Sequence, residues 1–176
     1  MYKTHGIIIK KTNLGEFDRI VTIYTKNFGK ILTKAKSVRK NQAKLGGRLE
    51  LFLYDHLMIA PGRGFDIVTS VETINGFSFL HQNLNSLAAA HYLSELLDKL
   101  IAGPQRDINI WKLALDSFGK LNQGKGSELI VNNFENQLLE FLGYGKNKDS
   151  YAVIRSILNQ DLSSRDFLQK TLNKVI

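Results

Sequence analysis

The sequence predicts an α+β protein: a small five-stranded β-barrel over residues 1–80, then an all-helical domain over residues 81–176. Two patterns predict this. The first half is made of short β-branched runs separated by glycine-marked turns, and the second half repeats its apolar residues at helical spacing. Charge divides at the same place. Residues 1–80 carry 13 Lys/Arg against 6 Asp/Glu, while residues 81–176 carry 11 against 10.

The elements follow in order. Gly6–Lys10 is a β-branched run, and Ile20–Thr25 is a second one. Phe28-Gly29-Lys30 supplies a turn. Ile31–Val38 then alternates in polarity like a half-exposed strand, with Lys34 and Lys36 two apart on one face. Leu49–Ala60 is a fourth segment, Pro61-Gly62-Arg63-Gly64 a turn, and Phe65–Ile74 a fifth strand. Five short strands in so few residues suit a closed OB-type barrel, which leaves no exposed strand edges.

Beyond residues 75–86 the period changes. Leu87, Ala90, Leu93, Leu96, Leu97 and Leu100 share a helix face, with Asn85 or Ser86 as the expected N-cap. Gly103-Pro104 ends that helix, and Asp107 is placed to cap the next one, which carries Ile108, Trp111, Leu115, Phe118 and Leu121. Ser127 is placed to cap a third helix, ended by Gly143-Tyr144-Gly145. Shorter helices are expected at Tyr151–Leu158 and Ser163–Lys174, the latter with Ser163 and Asp166 spaced as a capping box.

Composition narrows the function classes. At 176 residues and 43% hydrophobic content, the chain can bury roughly 70% of its unfolded surface. It has no cysteine, which excludes disulfides and thiolate metal sites. The first apolar run, Ile7-Ile8-Ile9, is too short for a signal peptide, and no stretch is long enough for a membrane span. A cytoplasmic protein is the expectation. His5, His56, His81 and His91 show no metal-ligand spacing and are read as surface or partly packed residues. Glu16 and Asp18 form no recognisable acid–base pair. Phosphate-loop and nucleophile-elbow patterns are absent, so a binding role without catalysis or cofactor is expected.

The informative feature is a basic run. Between Asp18 and Glu50 there is no acidic residue, yet the interval holds Arg19, Lys26, Lys30, Lys34, Lys36, Arg39, Lys40, Lys44 and Arg48. Charge runs are commonly just solvated faces. Nine like charges without compensation repel one another, and neutralising phosphate relieves that repulsion while releasing counterions. Arg19, Lys34, Lys36, Arg39, Lys40, Lys44 and Arg48 are the candidate backbone contacts, with residues 39–48 as a mobile basic loop. Tyr24 and Phe28 are candidate stacking rings, while Phe52 and Phe65 are read as barrel core. Gly62-Arg63-Gly64 reads as a plain hairpin turn. In the helical half, Lys99, Arg106 and Lys112 could rim a groove for an apolar, acidic peptide tip, or be ordinary solvated helix ends.

Several of these words resemble a known family. Gly6-Ile7-Ile8-Ile9-Lys10, Leu14-Gly15-Glu16-Phe17-Asp18-Arg19-Ile20-Val21 and Tyr24-Thr25-Lys26-Asn27-Phe28-Gly29-Lys30 resemble the opening of the bacterial recombination mediator family RecO. Ala35-Lys36-Ser37-Val38-Arg39-Lys40 is similar to its Ala-Lys-Gly-x-Arg element, and Leu49-Glu50-Leu51-Phe52 to its Leu-x-Pro-Phe, with Leu51 in place of proline. Ala90–Leu96 and Phe134–Tyr144 resemble two of its helical words. The resemblance implies an N-terminal OB fold, binding to single- and double-stranded DNA and strand annealing. It also implies partnership with RecR and with the acidic C-terminal tail of single-strand-DNA-binding protein. Many members carry a four-cysteine zinc site after the Leu-Gly-Tyr word, and this cysteine-free chain departs from that pattern. The expected function is a DNA-repair mediator acting through its basic barrel face. A protein–protein adaptor or a structured-RNA-binding module using the same face are the alternatives, and a membrane-surface role is disfavoured because the run lacks an apolar helix face.

Overall fold

A computed structural model describes residues 1–173. Five strands come first: β1 (Tyr2–Leu14), β2 (Asp18–Thr25), β3 (Gly29–Ala35), β4 (Tyr54–Ala60) and β5 (Asp66–Asn75). Six helices follow: α1 (Ser78–Gln82), α2 (Leu84–Leu100), α3 (Ile108–Asn122), α4 (Ser127–Phe141), α5 (Ser150–Leu158) and α6 (Ser163–Leu172). The predicted end of the last helix, Lys174, lies outside the described residues.

The strands close into a barrel in the order β1-β2-β3-β5-β4, the topology of an OB fold, as expected. Closure depends on the length of β1. Residues Tyr2–Ile7 pair with β4, residues Gly6–Leu14 pair with β2, and a register shift between Ile8 and Lys10 bends the strand between its two partners. Gly6 pairs on both sides, with Thr25 and with Asp55. A Cβ there would lie 2.5 Å from Ile23 Cγ2, so only glycine fits the bend. The last closure is short and parallel, Thr33 with Asp66 and Lys34 with Ile67. Inside, Ile8, Val21, Ile23, Ile31, Leu57, Ile59, Val68 and Val71 form the core, with Val38 and Leu49 added from the β3–β4 connection.

The chain divides into two compact units, and the division is not a single cut. One unit is Met1–Gly76 together with Ile101–Ile108, the other Phe77–Leu100 together with the residues from Asn109 onward. In the first unit, the α2–α3 connection runs against the β2–β3 turn. A Cβ on Gly29 (φ +68°) would sit 2.1 Å from the Gln105 carbonyl oxygen. The second unit is a bundle in which α2 packs against α4 and α6. Ala88, Ala89 and Ala90 are fully buried and Trp111 is in the core.

Several predicted boundaries move for identifiable reasons. β3 stops at Ala35 rather than Val38, because Ser37 adopts a left-handed conformation (φ 55°). β4 begins at Tyr54 rather than Leu49, after Phe52, which is also left-handed (φ 65°) and is buried. Phe65 is not core; it is exposed in the β4–β5 connection. At α2 the capping side chain is Asn83, whose Oδ1 accepts the Ser86 N–H at 3.0 Å. Ser127 lies inside α4, whose N-cap is Gly126. The Ser163–Asp166 capping box does not form. Instead Glu95 on α2 accepts the Ser164 N–H at 3.0 Å and the Ser164 hydroxyl as well.

Candidate nucleic-acid interface

The site is built around the strand end where β1 turns into β2 and where β3 runs into its long connection to β4. Alternation on β3 buries Ile31, Thr33 and Ala35 and turns Leu32 and Lys34 outward. Lys36 follows in the turn, exposed. The connection, expected as a basic loop, folds into consecutive turns. Backbone N–H groups of Lys40, Ala43, Gly46 and Arg48 donate to the carbonyls of Ser37, Lys40, Ala43 and Leu45. Val38, Leu49 and Phe52 bury themselves beneath it. The turns carry Arg39, Lys40, Lys44 and Arg48 on the surface, all exposed.

This connection is fastened to the β1–β2 turn. The Arg39 N–H donates to the Phe17 carbonyl at 3.1 Å, and the Arg39 guanidinium donates to the Gly15 carbonyl at 3.2 Å. Lys40 Nζ stands 5.1 Å from the centre of the Phe17 ring, a cation–π contact. Asp18 completes the join. Its carboxylate accepts the Ser37 N–H at 2.7 Å and pairs with Lys34 Nζ at 2.8 Å. The hydrogen bond from Lys34, then that from Ser37, hold the Asp18 carboxyl below its ordinary range.

The acids that bound the acid-free interval in sequence therefore meet its cations in space. Asp18 holds Lys34, and Glu50 pairs with Lys11 and, at 3.6 Å, with Arg19. Arg19 also donates from Nε to Asn13 at 3.3 Å. Lys36, Arg39, Lys40, Lys44 and Arg48 share one connection, and Arg19 and Lys34 sit beside it already facing carboxylates.

The other sequence candidates lie elsewhere. Tyr24 is 1% exposed, so its ring offers no stacking face. Burial, with Asp107 negative nearby, pushes its phenol far above the usual range. Lys30, its cross-strand neighbour, is buried too. Phe28 is exposed but belongs to the β2–β3 turn, at the opposite end of β2 from Arg19. Six residues of strand separate these ends, about 20 Å. There Phe28 leans edge-on against Tyr2, with ring centres 4.7 Å apart. The three cations assigned to a partner groove fall on different elements of the two units. Arg106 belongs to the barrel unit, Lys99 to the last turn of α2 and Lys112 to α3 in the helical unit. Lys112 lines a groove of about 300 Å³ with Asn109, Leu113, Asp116, Gln137 and Phe141.

Sequence reasoning overlooked Phe17. An aromatic residue in the turn Gly15-Glu16-Phe17, between two strands, was the available signal. The ring is 38% exposed, and Leu14, three residues earlier, is 39% exposed.

Comparison with known proteins bears on both halves of the chain. The family described as "Recombination protein O N terminal" matches residues 1–77, and "Recombination protein O C terminal" matches residues 81–170. A protein named DNA repair protein RecO from Dehalococcoides mccartyi is 38% identical over 143 residues, 81% of this chain and 56% of its own length. Proteins of the same name from Roseiflexus and Trichodesmium erythraeum are 33% and 37% identical, over 91% and 82% of this chain and 56% and 50% of their own. The chain thus spans about half the length of the curated relatives it matches.

Proposed function

The chain belongs to the recombination protein O (RecO) family, and from that premise we propose that it is a DNA-repair recombination protein that holds single- and double-stranded DNA on the basic end of its barrel. The observation that carries this reading is the β3–β4 connection. It gathers Lys36, Arg39, Lys40, Lys44 and Arg48 on one exposed run of turns and ties that run to the β1–β2 hairpin. Cations so placed neutralise successive phosphates and release their counterions. Two strands brought to such a surface repel each other less, which is the physical basis for annealing. Arg19 and Lys34 join in by exchanging their carboxylate partners for phosphate. The role is binding and exchange of strands, without a covalent step and without a cofactor, in the cytoplasm. No described helix is long and apolar enough to cross a membrane.

A RecR-like mediator partner and the acidic tail of single-strand-DNA-binding protein are the proposed protein partners. Lys99 and Lys112 on the helical unit and Arg106 on the barrel unit are the cations proposed to meet them.

Titration of labelled single-stranded DNA at several salt concentrations tests the reading. If about five phosphates are neutralised, log affinity falls with log salt at a slope near −3.5. A response that does not depend on salt overturns it. Charge reversal at Lys36 and Arg39 separates it from a protein adaptor, because only a DNA-binding face loses DNA retention. Competition by tRNA separates it from a structured-RNA binder.

A further inference from the structure

We infer that Phe17 is a stacking platform for an unpaired base, with Arg39 and Lys40 holding the adjoining phosphate, so that the β1–β2 turn selects single strands over duplex. This inference rests on the DNA-binding reading above and adds strand preference to it.

Exposure is the first ground. A hairpin turn is ordinarily polar, and nothing in turn geometry asks for an aromatic residue there. Phe17 and Leu14 nevertheless place two apolar side chains in solvent, 38% and 39% exposed, within four residues of each other. The second ground is positioning. The two hydrogen bonds from Arg39, to the Phe17 and Gly15 carbonyls, fix the turn against the basic connection. The ring is therefore held in place before any ligand arrives.

Charge is the third ground. The Lys40 ammonium lies over the ring, 5.1 Å from its centre, and the Arg39 guanidinium donates to the Gly15 carbonyl of the same turn, so two cations stand at one aromatic residue. A base with its own phosphate presents the complementary pair, an aromatic face next to an anion. The acids nearby are Glu16, exposed on the turn, and Asp18, already engaged by Lys34 and by the Ser37 N–H. Of the other exposed rings, Phe28 stands at the far end of the hairpin against Tyr2. Bases in a duplex are stacked on their neighbours and offer no open face along the helix. The ring consequently adds affinity for unpaired bases only, while the cations serve both kinds of DNA.

The test compares wild-type protein with Phe17→Ala and Phe17→Trp on three probes of equal length: oligothymidine, an abasic strand and a blunt duplex. Phe17→Ala should weaken oligothymidine binding about tenfold. It should leave abasic-strand and duplex binding, and the salt slope, at wild-type values. Phe17→Trp should retain binding, with its emission quenched by oligothymidine and not by the abasic strand; the single native tryptophan, Trp111, is buried in the other unit. Wild-type affinity of Phe17→Ala for oligothymidine would overturn the inference, as would equal weakening on all three probes or an unquenched Phe17→Trp. Salt-independent binding by the wild type would instead sink the basic-face reading itself.

Discussion

Asp18 Oδ2 lies 2.8 Å from Lys34 Nζ while Asp18 Oδ1 accepts the Ser37 N–H at 2.7 Å, so one carboxylate both masks a cation and shapes the turn that presents the others. Removing its charge should separate the two roles. Asp18→Asn keeps an oxygen for the Ser37 N–H and releases Lys34 to phosphate. DNA affinity at low salt should rise, and the salt slope should steepen by about 0.7. An unchanged slope would mean that Lys34 does not reach DNA. Because the carboxyl is held below its ordinary range, its stabilising effect is complete above that range and is lost as pH falls through the lowered value.

Gly29 and Gly15 share positive φ, +68° and +60°, but only Gly29 faces a neighbour, with the Gln105 carbonyl 2.1 Å from where a Cβ would stand. Gly15→Ala should cost about 1 kcal/mol, from the left-handed backbone alone. Gly29→Ala should cost roughly 3 kcal/mol or more, since the α2–α3 connection must also move. Urea unfolding of the two variants measures the difference, and equal losses would mean that the connection does not press on the turn.

Asp55 is a fully buried carboxyl on β4, facing the side-chain-free Gly6 on one side and Thr73 on the other. Burial pushes its pKa from 3.8 up to about 6, and the Thr73 hydroxyl opposes that only in part. The folded protein thus favours the protonated acid. Stability from this group is complete below pH 3.8 and is lost as pH rises through about 6. Asp55→Asn should therefore stabilise the protein at pH 7.5 by ~2 kcal/mol and give no comparable gain at pH 4. Denaturant melts at both pH values check this, and equal gains would assign the effect to packing.

Glu135, 2% exposed, is the hub of the helical unit. It accepts from the Tyr92 hydroxyl, the Ser150 hydroxyl and the Arg165 guanidinium, each at 2.6 Å, and so links α2, α4, α5 and α6. Arg165 is further packed over the Tyr151 ring at 3.8 Å. Glu135→Ala should cost about 3–5 kcal/mol, because it leaves a half-buried cation and two buried hydroxyls without their acceptor. A melting temperature equal to wild type would show that water replaces the carboxylate.

The barrel was legible because its strands obey local rules. Ile31, Thr33 and Ala35 alternate with outward residues, and glycines mark the turns. The helices were legible for the same reason, down to the buried Ala88-Ala89-Ala90 run. What could not be read are relations between distant residues. Asp18 and Glu50 look remote from Lys34 and Arg19 along the chain, yet they pair with them because the hairpin and the β3–β4 connection meet. Tyr24 reads as a surface aromatic beside a basic run, but a connection about eighty residues later belongs to the same unit and brings Asp107 near it. Glu95 replaces the expected cap of α6 from another helix. Local pattern therefore yields elements and their faces, whereas which charges remain available depends on tertiary pairing.

The barrel's use of Ile101–Ile108 has a consequence during synthesis. Its fifth strand ends at Asn75, yet the stretch that meets the β2–β3 turn emerges only after α2 has been made. At ~5–20 residues per second the nascent β-domain waits on the order of seconds in an unfinished form. A vector-encoded fragment stopping at the nominal domain boundary would keep that nascent state permanently, and would be a poor stand-in for the domain as it exists in the whole chain.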